Sequence, residues 1–183
     1  LRKFSYQIIE QPEKGSIHVA NFYSNGSLAA QKFRGPDKQF KWRGEARGAG
    51  LFGQHLFDGS NSRRLVITEG EIDAMSVYQA NGGWPVVSLN GGTGNALNNI
   101  KDNLEWISKF PEIILMFDSD EAGREAAVNC AQLLPPGRVK IATLPRKDAN
   151  ECLKSNDSKA IVNAIFQAKV YSPDEILHVA DIA

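Results

Sequence analysis

The chain has 183 residues, with 21 Lys+Arg against 21 Asp+Glu and two cysteines. That length holds one domain, or one domain and a small appendage, around a real core. No run of about 18 apolar residues is present, LRKFSYQ carries no apolar signal region, and Cys130 and Cys152 form no C-x-x-C spacing; no membrane-spanning helix is expected, neither a disulfide framework nor a cysteine zinc site is indicated, and a reducing compartment is favoured. The missing initiating Met suggests an excised piece of a longer protein.

The zero net charge hides an asymmetry. Residues 1 to 64 hold 11 basic and 5 acidic residues, a balance of +6, while residues 65 to 183 hold 10 and 16, a balance of −6. A basic front and an acidic rear suit a protein that binds phosphates with one part and gathers carboxylates in the other.

In chain order, residues 4 to 9, 17 to 23, 28 to 34 and 39 to 42 favour β-branched and aromatic types. Turn chemistry separates them at Glu13-Lys14-Gly15, Ser24-Asn25-Gly26 and Gly35-Pro36-Asp37. They predict a small antiparallel meander. Its later part carries Lys32, Arg34, Lys38, Lys41, Arg43 and Arg47 among Phe33, Phe40 and Trp42; alternation puts Lys32 and Arg34 on one face, a surface suited to triphosphates or a nucleic-acid backbone. Lys38→Ala is expected to weaken such binding in a salt-dependent way.

After a Gly/Ser/Asn-rich connector over 44 to 63, strands and helices alternate: strand 65 to 68, helix 71 to 81, strand 86 to 89, helix 95 to 109, strand 113 to 117, helix 121 to 134, strand 139 to 144, and a last amphipathic helix around Ile161 to Ala168. This order predicts an α/β fold, a parallel sheet flanked by helices and preceded by the basic β subdomain. Cys130 falls at core spacing with Ala122, Ala126 and Leu133, and His18, His55 and His178 are scattered.

Three acidic groups follow strands. Glu69-Gly70-Glu71, with Asp73 in the next helix, follows the first; Asp118-Ser119-Asp120 follows the third; Lys147-Asp148-Ala149-Asn150-Glu151 follows the fourth. In a D-x-D extended segment both carboxylates point to the same side, about 7 Å apart at the backbone. Right-handed crossovers set the C-terminal ends of parallel strands along one edge, so Glu69, Asp118, Asp120 and Asp148 are expected to converge. Clustered carboxylates need cations, and with His and Cys ligands lacking these are Mg²⁺ or Mn²⁺ rather than zinc. Asp120 and Glu121 equally suit the cap of the helix that follows. The glycine-rich Val87 to Asn95 segment offers backbone N–H groups to a phosphate or template, but lacks the Lys-Ser/Thr of a P-loop, which argues against an ATPase.

TEGEIDAMSV, ILMFDSDEAGREAA, LPRKDANE and the upstream QKFRGPDKQFKWRG together resemble the Toprim-type primase part of the bifunctional primase-helicases of T-odd phages and their mitochondrial-helicase relatives. The resemblance covers nearly the whole chain. It implies RNA primer synthesis from ribonucleoside triphosphates on single-stranded DNA, a DNA-directed nucleotidyl transfer with two Mg²⁺ or Mn²⁺ ions. Glu69, Asp118 and Asp148 would hold metal with Asp120, Asp73 would support them, and Glu69 is alternatively a general base. Lys32, Arg34, Lys38, Lys41, Arg43 and, more weakly, Arg124 would bind nucleotide or DNA.

The implied organisation is a basic β-rich subdomain over 1–62, a Toprim catalytic domain over 63–171 and, over 172–183, the start of a linker towards a fused helicase. A zinc-binding template-reading module found in relatives has no cysteine pairs here. A phage protein of this kind works in the host cytoplasm; an organelle is the alternative for a eukaryotic parent. Two rivals share the features: a Toprim nuclease or topoisomerase, for which Tyr6, Tyr23, Tyr78 and Tyr171 lack a nucleophile's context, and a non-catalytic single-stranded-DNA-binding module of a helicase.

Overall fold

The computed structural model describes residues 1–13, 15–37 and 39–173. Lys38, His178 and most of the expected linker lie outside the described residues.

The front of the chain forms the expected meander, a sheet of order β1-β2-β3-β4 with β1 Gln7–Gln11, β2 Gly15–Ser24, β3 Ser27–Arg34 and β4 Phe40–Gly44. Asn25 and Gly26 both take positive φ, 48° and 77°, and close β2 onto β3 with Ser24 opposite Ser27. A two-residue turn of this hand matches the twist of the strands it joins, so Asn-Gly sets the register. The first strand begins later than expected. Residues Arg2–Phe4 form a 3₁₀ turn instead, and Phe4 is buried against Phe52 at 5.5 Å between ring centroids.

The rear forms a five-stranded sheet of order β6-β5-β7-β8-β9, with β5 Arg64–Thr68, β6 Val86–Ser88, β7 Glu112–Met116, β8 Val139–Ile141 and β9 Lys169–Val170. The first four strands are parallel, as expected; β9 adds antiparallel at the edge, pairing Lys140 with Val170. Two residues carry no readable period, so β9 is invisible in the sequence. Helices α1 Glu71–Ala80, α2 Ala96–Asp102, α3 Leu104–Ile107, α4 Glu121–Ala131, α5 Ala149–Lys154 and α6 Ser158–Phe166 complete the unit.

The expected helix over 95 to 109 is broken at Asn103. The Asn99 and Asn103 amides donate to the carbonyls of Asn95 and Asn99, at 3.0 and 2.9 Å, and such local bonds compete with regular helix. The expected helix over 121 to 134 stops at Ala131, ahead of Pro135, whose ring disfavours helical backbone in the residue before it. Strand β8 ends at Ile141, shorter than expected, with one more ladder bond from the Ala142 N–H to the Leu115 carbonyl at 2.9 Å.

Two apolar clusters flank the rear sheet. One contains Leu65, Ile67, Ile113, Leu115 and Cys130. The other joins Val66, Ile114 and Met116 to Ala20, Phe22 and Ala30 of the front sheet, so both sheets share one core. Register places Lys32 and Arg34 on the same face of β3 as Ala30, opposite Ala20 and His18. The basic side chains therefore continue the face that packs on the rear unit. No helix among the described residues is long and apolar enough to cross a membrane.

Candidate active site

The β5 end is built by Thr68, whose buried hydroxyl donates to the carbonyls of Gly70 and Val87 at 3.1 and 3.3 Å and sets the turn that presents Glu69. Gly70 has φ −114° and ψ 154°, ordinary extended backbone. Its smallness serves space instead: a Cβ there would stand 2.8 Å from Asp73 Oδ2. Asp73 lies in the first turn of α1 and accepts the Asn150 N–H at 3.0 Å, tying α1 to α5. Burial, followed by the charges of Asp148, Asp118 and Glu69, pushes its carboxyl up to about 7 against the opposing Asn150 bond.

At the end of β7, Ser119 does the joining. Its N–H donates to the Lys147 carbonyl at 2.8 Å, and its hydroxyl to the carbonyls of Arg146 and Leu144 at 2.9 and 3.3 Å. The loop after β8, with Asp148, is thereby held against Asp118. Burial raises Asp118 to about 6, with Glu69 and Asp148 adding to the rise and Lys147, 3.8 Å from Oδ2, opposing it. Burial also raises Glu69, while the N–H groups of Thr93 and Asp118 donate to it and hold it down. The glycine-rich loop thus spends a backbone donor on Glu69.

Asp120 caps α4 by accepting the Gly123 N–H at 2.9 Å, and Asp148 caps α5 by accepting the Glu151 N–H at 2.7 Å. Asp120 thus takes the helix-cap role, and its charge also reaches Glu69 and Asp118. The five acids Glu69, Asp73, Asp118, Asp120 and Asp148 form one mutually repelling set at the C-terminal edge of the parallel strands. Among the described residues, no three His, Cys, Asp or Glu side chains form a ready-made metal shell.

The basic residues divide. Lys32 pairs with Glu71 at 2.8 Å, with side chains only 11% and 13% exposed, and lies 4.5 Å from the Phe40 ring centroid. This buried pair clamps the basic sheet to α1 and gives Glu71 a structural task. Arg34 stands over Phe40 at 5.7 Å; its charge and that of Glu71 both reach Tyr6, whose hydroxyl burial pushes up to about 12. Lys41 and Arg43 are exposed on β4. Arg124 donates to the Ser119 carbonyl and braces the D-x-D turn.

Sequence reasoning missed Lys147, Ser119 and Gly123 as contributors. Lys147 and Ser119 sat inside quoted motifs, but their contacts are between loops distant in sequence. A Cβ on Gly123 would collide with the Asp118 carbonyl oxygen. Gly123→Ala should therefore lower stability by about 1–3 kcal/mol despite Ala's better helix propensity, and displace Asp118; urea unfolding that leaves the variant as stable as wild type would refute the close-approach argument. A cavity of about 620 Å³ lined by Arg63, Arg64, Trp84 and Phe166 belongs to the opposite end of the strands.

The Toprim-like family (Toprim_2) matches residues 66–153, from β5 into α5. The DNA helicase/primase of Enterobacteria phage T3 is 44% identical over 154 residues, which cover 84% of this chain and 27% of the relative. The chain thus spans about a quarter of that protein's length. The crystal structure of the primase fragment of the bacteriophage T7 primase-helicase superposes with a TM-score of 0.82 at 41% identity, over 90% of this chain and 68% of the other. A chain from the T7 lagging-strand DNA polymerase complex with the primase domains of two gp4 subunits, an RNA/DNA hybrid and dTTP gives 0.84 at 40% identity, over 93% and 86%. The acidic strand edge, the basic meander packed beside it and this degree of likeness lead to one conclusion: the chain belongs to the Toprim-type primases of the phage primase-helicases.

Proposed function

We propose that this chain is the RNA-synthesising core of a DNA primase, joining ribonucleoside triphosphates into short primers on a single-stranded DNA template. The observation that carries the reading is the gathering of Glu69, Asp73, Asp118, Asp120 and Asp148 at one strand edge, where burial first and neighbouring carboxylate charge second raise Asp73, Asp118 and Glu69. A fold keeps such repulsion when a cation is part of its working state.

The donor set fits Mg²⁺ or Mn²⁺, which take oxygen ligands. Mg²⁺ in particular keeps several waters and is held through one or two carboxylates plus substrate phosphates, so a pre-closed protein cage is not required. Glu69, Asp118, Asp120 and Asp148 are the proposed holders of one or two ions, with Asp73 behind them. When bound, such ions stabilise the attacking 3′ hydroxyl, the α-phosphate and the leaving pyrophosphate.

The protein's own groups do the positioning. Thr93 and Asp118 N–H groups aim Glu69, Ser119 holds Asp118 beside Asp148, and Lys147 tempers the negative field. Arg34, Lys41, Arg43 and Lys38 are proposed to bind triphosphate or template backbone, whereas Lys32 and Arg124 support the scaffold. In the parent protein a helicase motor and a zinc-binding template reader are the proposed neighbours, and the phage-infected cytoplasm the setting.

The test incubates the chain with single-stranded template, ribonucleotides and Mg²⁺ and looks for template-dependent short RNA. Template cleavage without RNA would favour the nuclease reading. Binding with neither product would favour a non-catalytic helicase module.

A further inference from the structure

The groove behind the glycine-rich loop is unlike the acidic edge in front of it. It measures about 470 Å³ and runs between the basic meander and α2, with Trp42 and Arg47 on one wall and Asn90, Asn95, Asn98 and Asn103 on the other. Asn95, Asn98, Asn99 and Asn103 recur at helical spacing along α2 and its two caps and form one row, which Asn90 joins from the loop. We propose that this groove binds a nucleobase of the nucleic-acid strand and reads its edge through asparagine amides, an inference that rests on the primase reading above.

The chemistry of the lining selects that ligand. Its charged members are Arg47 and Asp102, of opposite sign, so the groove has none of the positive excess that a phosphate requires. Amide side chains each offer two donors and an acceptor, matching the donor and acceptor edges of bases. Trp42 is 37% exposed, with its ring 5.1 Å from buried Phe22, and supplies the aromatic surface on which an unpaired base stacks.

The row is also pre-organised. Asn99, 3% exposed, acts as the strut: its Oδ1 accepts the Asn90 N–H at 2.7 Å and its Nδ2 donates to the Asn95 carbonyl at 3.0 Å. Asn98 donates to Asn95 Oδ1 at 3.0 Å, which orients its amide and leaves its own Oδ1 open among the described residues. Asn98 itself is exposed.

Position links the groove to the reaction. The loop that carries Asn90 and Asn95 also carries Gly92 and Thr93. Thr93 donates its N–H to Glu69, and a Cβ on Gly92 would lie 3.5 Å from Glu69 Oε1. The loop is thus the wall shared by groove and carboxylates, and a base held on one side is set against reacting groups on the other.

The test uses the whole chain and fluorescence anisotropy with short homopolymer DNA strands, an abasic DNA strand of equal length and the matching RNA homopolymers. At least one base-bearing strand should bind about tenfold more tightly than the abasic strand, the scale of one good base contact. Asn98→Ala and Asn98→Leu, which both remove the reading oxygen without adding charge, should erase that preference, with thermal midpoint and the slope of log affinity against log salt unchanged. Preference among DNA strands identifies the template as the source of the base; preference among RNA strands identifies the primer. Equal wild-type affinity for base-bearing and abasic strands overturns the inference, as does a preference that survives both substitutions. Failure to bind any strand overturns the primase reading itself.

Discussion

Asp118→Asn should lower template-directed RNA synthesis by about three orders of magnitude, the scale for removing a central electrostatic group from a preorganised site. The substitution keeps shape and leaves the Asp118 N–H to Glu69 in place, because that donor is backbone. It removes the carboxylate that stands 3.8 Å from Lys147 and that burial, helped by the charges of Glu69 and Asp148, raises to about 6. Circular dichroism and the melting midpoint should show an intact fold. Synthesis at wild-type rates would remove Asp118 from the reaction, and a matching loss of folded protein would reduce its role to structure.

Asp73→Asn should make the metal-free protein more stable at pH 8 and less active. In the unfolded chain the carboxyl titrates near 3.8; in the fold it titrates near 7. Between those values the native state binds the extra proton, so this group's contribution to stability falls as pH rises from about 4 to about 7 and stays low above that. The rise corresponds to roughly 4 kcal/mol, and with relaxation a gain of about 2–4 kcal/mol is expected from the neutral amide. Asn keeps the Oδ1 that accepts the Asn150 N–H, while its new amide donors face carboxylates. Urea unfolding across pH in the presence of a chelator measures this. The same pH slope in variant and wild type would contradict the burial-driven shift. Synthesis should fall roughly tenfold to a hundredfold, as for groups that support metal ligands, so stability and activity move in opposite directions.

Together these two substitutions separate the reacting edge from its support. Asp118 stands at the end of a central strand with 19% of its side chain exposed, open to substrate. Asp73 sits behind it, held by α5, where its charge shapes the field of the others.

Local pattern sufficed for much of this. Asn25-Gly26 dictated a hairpin because few other residues accept positive φ at both turn positions. Alternation of apolar runs with helical spacing dictated the parallel strands β5, β6, β7 and β8, and right-handed crossover chirality then puts Glu69, Asp118 and Asp148 on one edge. Near neighbours in sequence make those arrangements, so the sequence shows them.

What the tertiary structure decided involves groups far apart in the chain. Lys32 reads as an open phosphate ligand along its strand, yet across 39 residues it meets Glu71 and becomes a clamp. Arg124 turns back onto Ser119, and the glycine loop gives its Thr93 N–H to Glu69. Ser119 binds the loop that carries Asp148, and Gly123 is required by the approach of α4 to Asp118. The sequence by itself determined which carboxylates stand at strand ends, because strand direction and crossover hand are local and chiral rules. Only tertiary packing decided which cations remain available, that Glu69, Asp73 and Asp118 are raised and where an asparagine-lined groove opens, because charge pairing and desolvation depend on distances that no single segment contains.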